Sequence, residues 1–69
     1  MKTVDISVNG EACSMPADAS VADLLAELKL AGRRIAVELN ENIVPKSSYA
    51  QTRLATGDQL EIVHAIGGG

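Results

Sequence analysis

The chain has 69 residues, 46% of them hydrophobic, and a formal net charge of −3 at pH 7. This length predicts one small domain, and its core must be aliphatic because Tyr49 is the only aromatic residue. An acidic chain without a basic stripe or stacking aromatics is not expected to bind nucleic acid, and the absence of a long apolar stretch argues against a membrane partner.

The first predicted element is a β-hairpin. Apolar and polar residues alternate strictly from residue 3 to residue 8, which predicts a strand with one face in water. Asn9 and Gly10 suit a two-residue turn, because both central positions of that turn need positive φ. We therefore expect residues 11–15 to return antiparallel to the first strand, with Pro16 ending the second strand.

A helix is predicted next. Ser20 can cap its first turn, and Asp23 at the third helical position completes a capping box. The apolar residues at positions i, i+3, i+4 and i+7 of this segment are Val21, Leu24, Leu25 and Leu28. This spacing predicts one apolar stripe that faces a sheet, and Gly32 is the expected stop.

The remaining predicted elements are a strand at 35–39, a turn at 40–42, a short edge strand at 43–45, an irregular polar segment at 46–54, a turn at 56–58 and a last strand at 59–63. The order of these elements predicts an α+β chain with a β-grasp, or ubiquitin-like, fold. In this fold, a mixed sheet of four to five strands packs on one main helix. The first and last strands are expected to be neighbours at its centre. We expect the domain to occupy residues 1–66 and a flexible C-terminal glycine tail to occupy residues 67–69.

The side chains offer little chemistry. Cys13 is the only cysteine, which excludes an internal disulfide and a C-x-x-C metal site, and His64 is the only histidine. Cys13 is expected to pack as a small apolar residue and His64 to lie at the surface, so no catalytic residue, bound metal or bound cofactor is predicted. The N-terminus does not resemble a signal peptide, and together with the single cysteine this predicts a cytoplasmic protein.

The final glycines, Gly67, Gly68 and Gly69, are the strongest candidate site. A segment without Cβ atoms can enter a channel that is too narrow for side chains. The terminal carboxyl group is an anion at neutral pH and a poor electrophile, because its pKa is about 3.3–3.7. An external enzyme could activate it with ATP as an acyl-adenylate, which a sulfur nucleophile would convert to a thiocarboxylate. The alternative is a frayed end or a remnant of an expression vector.

The last strand predicts where a partner would dock. If Leu60 and Ile62 point into the core, then Val63 and Ala65 point outward and Ile66 follows them. Such an apolar patch beside the tail is typical of a partner-binding surface. Alternatively, the strand changes face at a bulge and these residues complete the core.

The whole chain resembles the ThiS family, the sulfur-carrier proteins of thiamine biosynthesis. The stretches that carry the resemblance are Val8-Asn9-Gly10-Glu11, Ser20-Val21-Ala22-Asp23-Leu24-Leu25, Ala36-Val37-Glu38-Leu39-Asn40 with Ile43-Val44-Pro45, and Gly57-Asp58-Gln59-Leu60-Glu61-Ile62-Val63 with Gly68-Gly69. Family members end in a glycine pair, which corresponds to Gly68 and Gly69, and Gly67 fits a position that is commonly small.

The resemblance implies a carrier and three partners, not an enzyme. An E1-like adenylyltransferase of the ThiF type would adenylate Gly69, a cysteine desulfurase would be the sulfur source, and a thiazole synthase of the ThiG type would take the sulfur into the thiazole ring. Two alternatives within the carrier class are the small subunit of molybdopterin synthase and a carrier that serves cysteine or another metabolite. A third is a ubiquitin-like protein modifier or interaction module.

Overall fold

The computed structural model describes residues 2–64, so predictions that fall on residues 65–69 lie outside the described residues. The elements are β1 (Thr3–Val8), β2 (Glu11–Pro16), α1 (Val21–Glu27), β3 (Ile35–Leu39), β4 (Asn42–Val44), a single 3-10 turn (Lys46–Ser48) and β5 (Gln59–His64).

The strands form one mixed sheet in the order β2-β1-β5-β3-β4. β1 and β5 are parallel and adjacent at its centre, and every other pair is antiparallel. A parallel pair needs a crossover connection, and here the chain between β1 and β5 provides it. This stretch includes α1, which lies in the long connection from β2 to β3. The predicted α+β β-grasp arrangement, with the first and last strands as central neighbours, is confirmed.

The hairpin has the predicted turn. Asn9 and Gly10 have φ values of 52° and 85°, and Val8 pairs with Glu11 across the turn. Pro16 is the last residue of β2 rather than the first residue after it. Because β2 is an edge strand, the missing N–H of this proline removes no bond from the interior of the sheet.

The predicted capping box forms at the start of α1. The Ser20 hydroxyl accepts a hydrogen bond from the Asp23 N–H at 3.2 Å, and the Asp23 carboxylate accepts one from the Ser20 N–H at 2.9 Å. The hydrogen bond that the Ser20 backbone N–H donates to the Asp23 carboxylate lowers the pKa of that carboxyl group, and the Ser20 side chain lowers it further. Both favour the charged form of the carboxylate.

The predicted end of the helix is wrong. The helix ends at Glu27 with Leu28 as its C-cap, well before Gly32. Lys29 has φ of 61°, its N–H donates to the Ala26 carbonyl, and the Leu30 N–H donates to the Leu25 carbonyl at 2.8 Å. This pair of bonds is a Schellman motif, which ends a helix with a left-handed residue.

The connections after β3 follow the predicted pattern with small shifts. Asn40 and Glu41 form the turn with φ of 51° and 73°, so β4 begins at Asn42 and ends before Pro45. The predicted turn before β5 is present, and Gly57 has φ of 94°.

The core lies between α1 and one face of the sheet. It consists of Val4, Ile6, Met15, Ala19, Val21, Leu24, Leu25, Val37, Val44, Leu54, Leu60 and Ile62. Leu54 belongs to the segment that the sequence marks as polar and irregular, yet it is only 3% exposed. Its N–H donates to the Ala19 carbonyl, which attaches this loop to the start of the helix.

Candidate functional site

β5 is the element that leads toward the predicted reactive terminus. It lies between β1 and β3 and ends at His64, which pairs with Ile35 of β3. β1 pairs with Gln59 and Leu60 at the start of β5, and β3 pairs with β5 from Leu60 to His64. The chain beyond residue 64 therefore continues from a strand that is paired with β3 up to its last residue.

Two asparagine side chains hold β5 in place. The Asn9 amide donates from Nδ2 to the Ile62 carbonyl at 3.1 Å, and its Oδ1 accepts from the Ile62 N–H at 2.8 Å. At the other end of the strand, the Asn40 Oδ1 accepts from the Gln59 N–H at 2.9 Å. Asn9 thus extends the pairing of β5 past the end of β1, toward the root of the tail.

The alternation of β5 is as predicted up to Val63. Leu60 and Ile62 are buried, whereas Val63 is 59% exposed and pairs with Ala36 on the outer face of the sheet. The alternative, in which these residues complete the core, is wrong for Val63. The other two residues predicted to bind a partner, Ala65 and Ile66, lie outside the described residues, as do Gly67, Gly68 and Gly69.

A groove of about 510 Å³ opens on the helix side of β5. Its lining residues are Val8, Asn9, Glu11, Ala12, Cys13, Leu28, Leu30, Ile62 and His64. Cys13 is half-buried there, and the exposed His64 lines the same groove, although the two are far apart in sequence. The sequence reading missed this groove because it depends on the register of three strands and on the early end of α1.

Within residues 2–64, no group of three or more His, Cys, Asp or Glu side chains is arranged to hold a metal ion. No helix in that part of the chain is long and apolar enough to cross a membrane.

The topology first defines the class of protein. The sheet is mixed and five-stranded, the chain has one helix, and the first and last strands in sequence are parallel neighbours at the centre of the sheet. This arrangement is a β-grasp domain. The ThiS family model matches residues 3–69, and the chain belongs to that family. The crystal structure of a thiamine biosynthesis protein (ThiS) from Geobacter metallireducens is similar to it, with a TM-score of 0.81 and 29% identity, covering 96% of this chain and 100% of that one.

Two relatives indicate the functional context of the family. The sulfur carrier protein ThiS of Bacillus subtilis is 35% identical over 65 residues, which is 93% of this chain and 98% of the relative. A thiazole synthase of Paramagnetospirillum magneticum is 53% identical over 62 residues, which is 90% of this chain. The chain spans only 19% of that thiazole synthase and 20% of a second one, from Magnetococcus marinus.

Proposed function

We propose that this chain is a sulfur carrier of thiamine biosynthesis whose reacting group is the carboxyl group of Gly69. The observation that carries the proposal is the family match, which extends from β1 through the terminal glycines. The position of β5, the last described strand, between β1 and β3 suits a domain that presents its C-terminal end to other proteins.

Activation requires a leaving group on the carboxylate. A carboxylate oxygen of Gly69 attacks the α-phosphorus of ATP, so that a C–O–P linkage forms and pyrophosphate leaves. We assign this step to an E1-like adenylyltransferase of the ThiF type. Gly67 and Gly68 suit this step because a segment without side chains can enter a narrow active-site channel.

Sulfur then replaces the adenylate. In the simplest form of this step, sulfide attacks the acyl carbon of Gly69, a C–S bond forms and AMP leaves, which yields a thiocarboxylate. In the cell, a cysteine desulfurase would be the source of the sulfur, and a thiazole synthase of the ThiG type would be its acceptor. We place these steps in the cytoplasm, where ATP is available.

The named relatives support this choice of acceptor. Two relatives that carry a region similar to this chain are called thiazole synthases, and that region is about a fifth of their length. A carrier region within a thiazole synthase would bring donor and acceptor together. This association favours thiazole formation over the synthesis of molybdopterin or cysteine.

Incubation with ATP, sulfide and a ThiF-type enzyme tests the proposal. The intact mass of the chain is expected to increase by one exchange of oxygen for sulfur, and fragmentation should place the exchange at Gly69. A chain without Gly69 should keep the melting temperature of the full chain, because the helix and all five strands lie within residues 3–64. It should not gain sulfur, because its terminal carboxyl group would stop one residue short of the active site of the activating enzyme.

Two results would count against the proposal. One is equal sulfur incorporation in the shortened chain, which would place the reaction elsewhere. The other is the formation of isopeptide adducts between Gly69 and lysine side chains, which would indicate a protein modifier.

A further inference from the structure

The turn between β1 and β2 contains a residue pair with a specific chemical reactivity. Asn9 is followed by Gly10, and both residues are exposed to solvent. The backbone nitrogen of the residue after an asparagine can attack the side-chain amide, and glycine leaves that nitrogen open because it has no Cβ atom. Of the three asparagines in the chain, only Asn9 precedes a glycine. Asn9 is therefore the position at which this attack meets the least steric hindrance.

The reaction consumes only water. The Gly10 nitrogen gives up its proton and attacks Cγ of Asn9, so that a new C–N bond closes a five-membered succinimide ring, while the bond from Cγ to Nδ2 breaks and ammonia leaves. Water that adds at Cγ then breaks the new bond and leaves aspartate. Water that adds at the main-chain carbonyl carbon breaks the original peptide bond instead and leaves isoaspartate. In both cases an amide and water become a carboxylate and ammonium.

The fold restrains the amide that would react. Nδ2 of Asn9 donates to the Ile62 carbonyl at 3.1 Å, and Oδ1 accepts from the Ile62 N–H at 2.8 Å. The backbone N–H of Asn9 also donates to the Leu60 carbonyl at 2.9 Å. Ring closure makes Cγ tetrahedral and removes Nδ2, so the two-bond contact with Ile62 has to break. The reaction therefore requires local opening at the turn, and the folded domain protects Asn9.

We propose that Asn9 is a site of spontaneous deamidation, that its contact with Ile62 delays the reaction, and that the product loosens β5 near the point where the chain continues toward Gly69. This modification is independent of the proposed function, because it concerns the lifetime of the folded domain and involves no partner enzyme.

The product loses a bond on the side of β5 that faces β1. In the described part of the chain, β1 pairs with β5 at Gln59 and Leu60, and Asn9 holds Ile62 beyond them. An aspartate in this place can accept from the Ile62 N–H, but it has no N–H for the Ile62 carbonyl, and a negative oxygen would face that carbonyl oxygen. An unsatisfied, part-buried acceptor of this kind is destabilising. Isoaspartate would in addition lengthen the main chain within a two-residue turn.

The other two asparagines serve as internal controls. Asn40 precedes Glu41, and Asn42 precedes the β-branched Ile43. In both cases the following side chain shields the backbone nitrogen that would attack. These positions should remain intact during the time in which half of Asn9 reacts in the unfolded chain.

Incubation of the purified full chain in warm, mildly alkaline buffer, followed by peptide mass mapping, tests the site. One sample stays folded and a second is unfolded in guanidinium chloride. We expect Asn9 to react in both samples, but more slowly in the folded one by roughly fivefold or more, because both bonds to Ile62 must first open. Equal loss of all three asparagines in the unfolded sample, or equal rates at Asn9 in the two samples, would overturn the inference.

Asn9→Asp tests the structural consequence, because this variant is the aspartate product. Its melting temperature should lie below that of the wild-type chain by roughly 4 °C or more. The matched control is Asn42→Asp, which also removes an amide that donates to a backbone carbonyl, here that of Asn40 at 3.2 Å, but in an exposed position. The control should shift the melting temperature by less than about 4 °C.

A second measurement uses the wild-type chain alone. After incubation, it should show an additional melting transition at lower temperature, with an amplitude that follows the fraction of Asn9 converted. A single unchanged transition after conversion, or a melting temperature of Asn9→Asp that is no lower than that of Asn42→Asp, would show that the amide of Asn9 does not hold β5.

Discussion

Asn9 and Asn40 each have two roles in this domain. Both adopt left-handed φ values, 52° and 51°. The sequence predicts the positive φ of Asn9 and a turn at Asn40. Their side chains also bond to β5, Asn9 at Ile62 and Asn40 at Gln59. This second role could not be predicted, because the partner of Asn9 lies 53 residues away and only the folded topology brings the two together.

Substitution of these asparagines by glycine tests the importance of the two contacts. Asn9→Gly keeps the turn, since glycine accepts positive φ, but it removes two part-buried hydrogen bonds to Ile62. We expect a loss of about 1–3 kcal/mol in the free energy of unfolding. Asn40→Gly is the matched control, and because its bonds are exposed it should cost about 1 kcal/mol or less.

Urea denaturation of both variants measures the difference. A loss at Asn9 no larger than the loss at Asn40 would contradict the view that Asn9 anchors the end of β5. The outcome matters for function, because Ile62 is the third-to-last described residue before the chain continues toward Gly69.

At the level of elements, the helix was predicted well at its start and poorly at its end. Ser20 and Asp23 form the capping box that their spacing predicts, because both partners are local in sequence. The end depends on a choice between two left-handed residues, Lys29 with φ of 61° and Gly32 with φ of 79°. Helix-ending propensity favours the glycine. In the structure, Lys29 is instead the left-handed residue that follows the Leu28 C-cap, and this brings the Leu30 N–H back to the Leu25 carbonyl.

Lys29→Gly should stabilise the domain. A non-glycine residue in the left-handed region costs about 1–2 kcal/mol, and glycine at this site would avoid that cost but lose about 0.5–1 kcal/mol of unfolded-state entropy. The expected net gain is about 0.5–1 kcal/mol, or a rise of roughly 2–8 °C in melting temperature. Lys29→Ala, which removes the same charge but keeps a Cβ atom, should not reproduce the gain. Equal melting temperatures for the two variants would contradict this expectation and would show that any effect comes from the loss of the lysine charge.

At the level of the whole molecule, local patterns were enough to predict the β-grasp fold. Strand alternation, the Asn9–Gly10 turn and the capping box are short-range signals, and the mixed sheet follows from their order. The groove beside Cys13 and the opposition of Glu38 and Glu61 were not predicted, because both depend on strand register. The exposure of Val63 was predicted, since it follows from alternation within one strand.

The molecule has two layers with different roles in this account. The buried layer between α1 and the sheet stabilises the domain, and the outer face of the sheet exposes Ile43 and Val63. The reaction itself would need only a free main-chain carboxyl group.

Chemical amidation of the terminus tests this central claim most directly. The amidated chain and the free-acid chain differ only at the carboxyl group of Gly69, so the folded domain, whose helix and strands lie within residues 3–64, is unchanged. With the activating enzyme, sulfur source and thiazole synthase present, the free acid should support thiazole formation and the amidated chain should support none. Equal thiazole formation by the two chains would contradict the account.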